Sequence, residues 1–218
     1  MLSILTLVNP FVEPSPWPVI RRKRIKTLLP RAMQLSGVDA WAVVCRENAN
    51  DPLAVHVGGE NAGGTMGIVF HCVDGVVSST GFSPWGEAQG LRDMKVHDNV
   101  VSLDQPGTLY VELAKHLESL DPKRIALNSS GKGVADGLSW SQRNALEKKL
   151  SPEYRSRLVS SEDLVSEWLS VKLPEEVEIM RKAGELTVQL QREAYMQVVP
   201  GETRDIDVAR YIQKRMEE

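Results

Sequence analysis

The longest uninterrupted apolar run, Ala40-Trp41-Ala42-Val43-Val44-Cys45, has strand length and no polar alternation, the pattern of a central strand covered on both faces. Ahead of it, Ile25, Leu28, Leu29 and Ala32 keep helical spacing and predict a helix over 19–35, with Gly37 placed to end it. Pro30 falls inside that pattern and is expected to kink the helix or divide it into two. Two apolar runs, 65–73 and 76–80, flank Asp74-Gly75. Asp-Gly between such runs predicts a hairpin, because a type I′ turn needs positive φ at both central positions.

Further along, the spacing predicts a short helix over 87–94, a strand over 96–103 and an amphipathic helix over 109–120 with Leu109, Leu113 and Leu117 on one face. A strand over 124–128, a helix over 136–150 and a minimal strand at Leu158-Val159 follow. This alternation predicts an α/β fold, a mixed β-sheet flanked by helices with the hairpin supplying the antiparallel pairing. The segment 46–64, rich in Asn and Gly, reads as loop.

From Ser161 to Val199 the pattern is helical with a break at Lys172-Leu173-Pro174. Pro174 suits a first helical turn, and Glu175, Glu176 and Glu178 suit the positive end of the helix dipole. Ile179, Ala183, Leu186, Leu190 and Ala194 form an apolar stripe, expected to be buried on the α/β domain in a standalone protein and to project, swap between subunits or stay exposed in a truncated one. Val199-Pro200-Gly201 ends that helix, and Thr203 is placed to cap another that reaches Glu218 without a stop signal, as a truncated chain would.

Composition adds limits rather than chemistry. At 218 residues, 42% hydrophobic and 25% charged, the chain is an ordinary globular sequence. A net charge of -3 argues against nucleic acid as the default partner. Arg21-Arg22-Lys23-Arg24 is the one basic run; a phosphate patch or membrane anchor is weighed against the solvated face of the first helix, and the solvated face is favoured. Residues 9–18 hold Pro10, Pro14, Pro16 and Pro18 and read as an extended arm. The apolar start, Met1 to Val8, lacks a basic segment and a cleavage site, and no stretch is long enough to span a bilayer, so a cytoplasmic protein with no membrane partner is expected. Cys45 and Cys72 lie in strand-like runs without metal or redox spacing and read as small hydrophobes.

No chemistry-bearing motif assembles. His56, His71, His97 and His116 are scattered, and His71 and Cys72 face opposite sides of a strand. The acidic groups at 175–178 and at Asp205 and Asp207 are explained by helix starts. Gly81-Phe82-Ser83-Pro84 lacks the glycine of a nucleophile elbow, and the glycine pairs in 58–64 lack a P-loop lysine.

Val171-Lys172-Leu173-Pro174-Glu175-Glu176-Val177-Glu178-Ile179-Met180-Arg181-Lys182-Ala183 and, about twenty residues on, Val199-Pro200-Gly201-Glu202-Thr203-Arg204-Asp205-Ile206-Asp207-Val208-Ala209 resemble the first two helices of the pita-bread domain in the creatinase, prolidase and Xaa-Pro aminopeptidase family. Trp168 and Arg204 depart from that pattern at packing and capping positions. The resemblance implies a creatinase-like, ribonuclease H-like amino-terminal domain over 19–165, an arm over 1–18, and a linker with the first helices of a truncated pita-bread domain over 166–218. It implies a parent hydrolase cutting peptide bonds before proline with two divalent metal ions (Mn, Co or Zn), whose ligands lie beyond this chain. This chain would then be an inactive, substrate-limiting and oligomer-forming part, a homodimer, with proline-containing peptides as the parent's substrates. Arg46, His56, Glu60 and Trp85, at strand ends and loops, are the residues placed to contact a substrate cleft or a second subunit. A standalone dimerisation module, and an unrelated small α/β enzyme using the Asn/Gly-rich loop, are the alternatives.

Overall fold

The structure is a computed structural model and describes residues 15–49, 51–60, 62–105 and 107–217. The expected proline arm falls mainly on residues 1–14, outside the described residues. Its end is corrected: α1 (Trp17–Thr27) begins inside the arm, because Pro18 sits in the first helical turn, where a missing N–H leaves nothing unsatisfied. Pro30 divides the predicted helix in the same way, opening α2 (Leu29–Leu35) after a break at Leu28. Gly37, at φ 63°, reverses the chain into β1 (Ala40–Cys45).

Six strands form one mixed sheet in the order β4-β3-β2-β1-β5-β6. The hairpin joins β2 (Met66–Val73) to β3 (Val76–Pro84), and Asp74 and Gly75 both have the positive φ that the turn requires. The helix α5 (Leu109–Leu120) connects β4 (Asn99–Leu103) to β5 (Ile125–Leu127), and β6 (Leu158–Ser160) closes the far edge. The central strand is buried at every position, and its period of two divides it between two cores. Trp41, Val43 and Cys45 join α1, α2 and α8 (Glu162–Ser170), whereas Ala40, Ala42 and Val44 join α5 and α6 (Trp140–Glu147). Trp41 lies at the centre of the first layer, stacked on Phe70 and meeting Trp168 of α8 edge-on at 5.5 Å.

Elsewhere the boundaries moved for identifiable reasons. The segment 46–64 carries a short 3-10 turn at Glu47–Ala49 and α3 (Ala54–Val57), and α4 (Ala88–Asp93) follows β3. The strand predicted over 96–103 starts only at Asn99, because Val96 and His97 turn inward and the N–H of Asp98 is taken by the Ser79 carbonyl. Helix α6 is shorter than predicted: Ser139 and Gln142 form a reciprocal cap, and the N–H groups of Gly137 and Leu138 are already donated to the carbonyl of Asn128. One short helix, α7 (Pro152–Ser156), had no apolar periodicity to announce it.

The basic run is a solvated face only in part: Arg22 and Lys23 are exposed, but Arg21 and Arg24 are not. Arg24 is only 5% exposed, donates to the carbonyls of Trp168 at 2.5 Å and Val171 at 3.0 Å, and stacks over the Trp168 ring. Arg21 pairs with Glu60, so half the run is spent tying α1 to its neighbours.

The chain divides into two compact units, one ending at Val171 and the other spanning Lys172–Glu218. In the second, Pro174 opens α9 (Pro174–Met196), and the Glu176 carboxylate accepts from the Leu173 N–H at 2.8 Å. Arg215 of α10 (Asp205–Glu217) reaches Glu193 of α9 at 3.3 Å. Of the predicted stripe, Leu190 and Ala194 are buried, but Ile179 and Leu186 are exposed. Thr203 does not cap α10: its hydroxyl accepts from the N–H of Val199, and Asp207 folds back onto the backbone and guanidinium of Arg204 instead.

Candidate functional site

Strands β1, β5 and β6 are parallel, as are β3 and β4, while β2 is antiparallel to both of its neighbours. Five carboxyl ends therefore open on one rim, joined by the start of β2. Ligands of open α/β sheets bind outside such a rim, which makes it the place to look.

A buried polar cluster organises its centre. The Asn128 side chain, directly after β5, accepts from the Val44 N–H at 3.1 Å and donates to the Val44 carbonyl at 3.0 Å, extending the β1–β5 pairing beyond the strand. Asn128 also donates to Asp51 Oδ2 at 2.7 Å, while Asp51 Oδ1 accepts from the Leu53 N–H at 2.8 Å in an Asx turn. Burial raises the Asp51 carboxyl above the usual range, against the hydrogen bonds from Leu53 and Asn128 and the positive charge of Arg46, which lower it. Burial, with Asp51 and Glu60 nearby, drives the Cys45 thiol far from ionisation, so it has no nucleophilic role.

The open part of the rim is a cleft of about 560 Å³ beside β3 and β4. Trp85 stands there 75% exposed, its backbone N–H anchored on the Leu103 carbonyl at 3.1 Å. Thr65, Asp104 and Tyr110 complete an aromatic wall with a single carboxylate. Of the four candidate residues, only Trp85 belongs to this cleft. Arg46 is exposed just past β1, and His56 lies in α3, edge-on to Trp168 at 6.5 Å. Glu60 is taken up by its ion pair with Arg21.

The residues missed from sequence are Asp51, Asn128, Thr65 and Tyr110. An Asn directly after an apolar strand, and an Asp before proline in a loop, were the available signals for the first two. Nothing local marked Thr65 or Tyr110, which reach the cleft only through sheet order. Among the described residues, no group of three or more His, Cys, Asp or Glu side chains is placed to hold a metal ion. The residues present therefore do not fit a metal centre. No helix among the described residues is long and apolar enough to cross a membrane.

The mixed sheet with its helical tail has counterparts among solved structures. It superposes on an Xaa-Pro dipeptidase from Bacillus anthracis with a TM-score of 0.61 at 15% identity, over 92% of this chain and 49% of that one. A dipeptidase PepE from Mycobacterium ulcerans gives 0.59 at 18% identity, over 90% and 50%. The prolidase from Pyrococcus horikoshii gives 0.55 at 18%, over 90% and 48%. This is the prolidase fold. No family model matches the sequence, and no curated protein matches it either. The chain spans about half the length of these structures. Within the prolidase fold, the rim described above and the Trp85 cleft lie in the domain built around the six-stranded sheet.

Proposed function

We propose that this chain is a member of the creatinase/prolidase family and serves as the amino-terminal, substrate-limiting part of a hydrolase that cuts peptide bonds before proline. The observation that carries this reading is Trp85, largely exposed over a cleft at the carboxyl rim of a sheet with the prolidase fold. An exposed indole beside Tyr110 offers flat apolar faces, which suit the rigid pyrrolidine ring of a prolyl residue; aromatic-lined grooves recognise proline for the same reason. Asp104 is the one carboxylate at this cleft and would meet a peptide's ammonium group. The chain thus positions and restricts a substrate, and bond cleavage belongs to the remainder of the longer enzyme.

Two measurements test this. Titrating the 218-residue chain with Ala-Pro and Ala-Ala dipeptides by NMR should give larger, saturable shifts for Ala-Pro, lost in Trp85→Ala. Equal responses to the two peptides would remove the proline reading. An assay with added Mn²⁺ or Co²⁺ should give no turnover by the chain alone, and turnover would overturn the non-catalytic assignment.

A second reading, an association module, is favoured by one observation. Ile179, Ala183 and Leu186, which share one face of α9, are all exposed. Sedimentation at several concentrations should show self-association if that face pairs with another copy, and a monomer throughout would exclude it.

A further inference from the structure

A second concavity lies on the opposite side of the sheet's carboxyl rim, where α1 and the connection after α4 meet the amino end of β4. It has a volume of about 980 Å³, within the size range of small-molecule sites. Five cations line it: Arg22, Lys23 and Lys26 from α1, and Arg92 and Lys95 from α4 and its following turn. Asp98 is the only carboxylate among its lining residues. That carboxylate is already engaged, by Lys26 at 2.5 Å and by the N–H of Ser79 at 2.9 Å. The concentration of positive charge runs against a chain whose net charge is -3.

The groove is assembled rather than incidental. Arg22 donates to the Lys95 carbonyl at 2.8 Å, and Arg92 to the Val100 carbonyl at 3.2 Å, so both walls are fixed by the cations themselves. Lys95 holds a left-handed backbone at φ 53°, which is uncommon for a side chain of this kind. The ammonium of Lys95 has no carboxylate partner among the described residues. His97 lines the same groove, 7% exposed, and among the described residues no well-formed hydrogen bond reaches either ring nitrogen; the Val57 backbone makes only a weak contact, and Asp98, Lys26 and Arg22 lie close enough to act on the ring through their charges. Val19, Met94 and Val100 add apolar surface.

We infer that this groove binds a soluble phosphate-bearing small molecule, with the phosphate held by Arg and Lys from α1 and from the turn after α4. Guanidinium forks and ammonium groups on two facing walls suit a compact, multiply charged anion better than a single carboxylate. The apolar surface suits a ligand whose phosphate is attached to an organic body. The assignment is independent of the Trp85 cleft and of any peptidase role.

The test uses calorimetric titration of the 218-residue chain with inorganic pyrophosphate, followed by NMR of the His97 ring. Saturable binding is expected, with a shift of the His97 resonances. Lys23→Gln/Lys95→Gln should weaken it by about tenfold, while Lys148→Gln/Lys149→Gln, with the same change in net charge, should leave it alone. If the first pair lowers the melting temperature, Arg92→Gln is read in its place. No saturable binding, equal loss in both double variants, or binding that leaves His97 unmoved would overturn the inference. Sedimentation with phosphatidate vesicles in the absence of pyrophosphate binding would also overturn it, in favour of a membrane surface.

Discussion

Asn128 and Asp51, far apart in sequence, meet at 2.7 Å in the buried centre of the rim, and the amide of Asn128 simultaneously completes the hydrogen bonding of Val44. Every polar atom in this pair has an assigned direction: both Asp51 oxygens accept, and the Asn128 amide nitrogen donates twice.

Two substitutions probe that arrangement. Asp51→Asn places an amide donor against the Asn128 donor and should lower stability by about 2 kcal/mol. Gly137 lies so close to Asp51 that an added Cβ would fall inside the carboxylate, so Gly137→Ala should lower stability by about 3 kcal/mol or more. Urea unfolding at neutral pH measures both, and a Gly137→Ala protein within 0.5 kcal/mol of the parent would show that the loop yields freely.

Arg24 carries the end of α8. Arg24→Ala leaves the carbonyls of Trp168 and Val171 without their donor and removes the ring contact, a loss of about 3 kcal/mol. Limited proteolysis should then cut sooner near residue 171, the boundary between the two compact units. Arg24→Lys should recover only part of the stability, since one ammonium cannot reproduce the planar fork.

His97 makes stability depend on pH. Burial, opposed by the Val57 contact and Asp98 but aided by Lys26 and Arg22, lowers its pKa from 6.5 to about 4. The unfolded chain therefore takes up the proton first as pH falls. Stability from this group is fully present above 6.5 and is lost as pH falls through about 4, by roughly 3 kcal/mol at most. In His97→Leu that part of the acid sensitivity should vanish, read as a flatter unfolding free energy between neutral pH and pH 4.5. Parallel curves for the two proteins would refute it.

The two cysteines should react differently with a thiol reagent. Cys72 is partly exposed and Cys45 buried, with its thiol held protonated by burial and nearby carboxylates. One thiol per chain should label in native protein and the second only after unfolding. Two fast thiols would contradict the packing of Gly59 against the Cys45 sulfur.

Much of the architecture was legible because it rests on periodicity and turn chemistry. The run 40–45, Asp74-Gly75 and the stripe of α5 each state their structure locally. The errors fall where a distant partner decided. Asn128 took the N–H groups that would have begun α6, and Arg24 was claimed by α8 despite sitting in a charged run. Leu186 follows helical spacing yet stays exposed, since periodicity marks a face without naming what covers it. Of the candidate site residues, Trp85, placed after an apolar strand, is the one that lines the cleft, whereas Glu60 had no local sign of its ion pair with Arg21.

The reversed direction of β2 has a practical consequence. Because β1 ends at the rim and its immediate neighbour β2 starts from it, residues 46–65 form an excursion whose two feet are held side by side by a continuous ladder from Ala40–His71 to Cys45–Met66. Its exposed positions Arg46, Glu47, Asn48, Pro52 and Val55 can therefore take new side chains while the ladder beneath keeps its register, whereas Asp51, Leu53, Ala54 and Val57 must stay, because they root the excursion in the core.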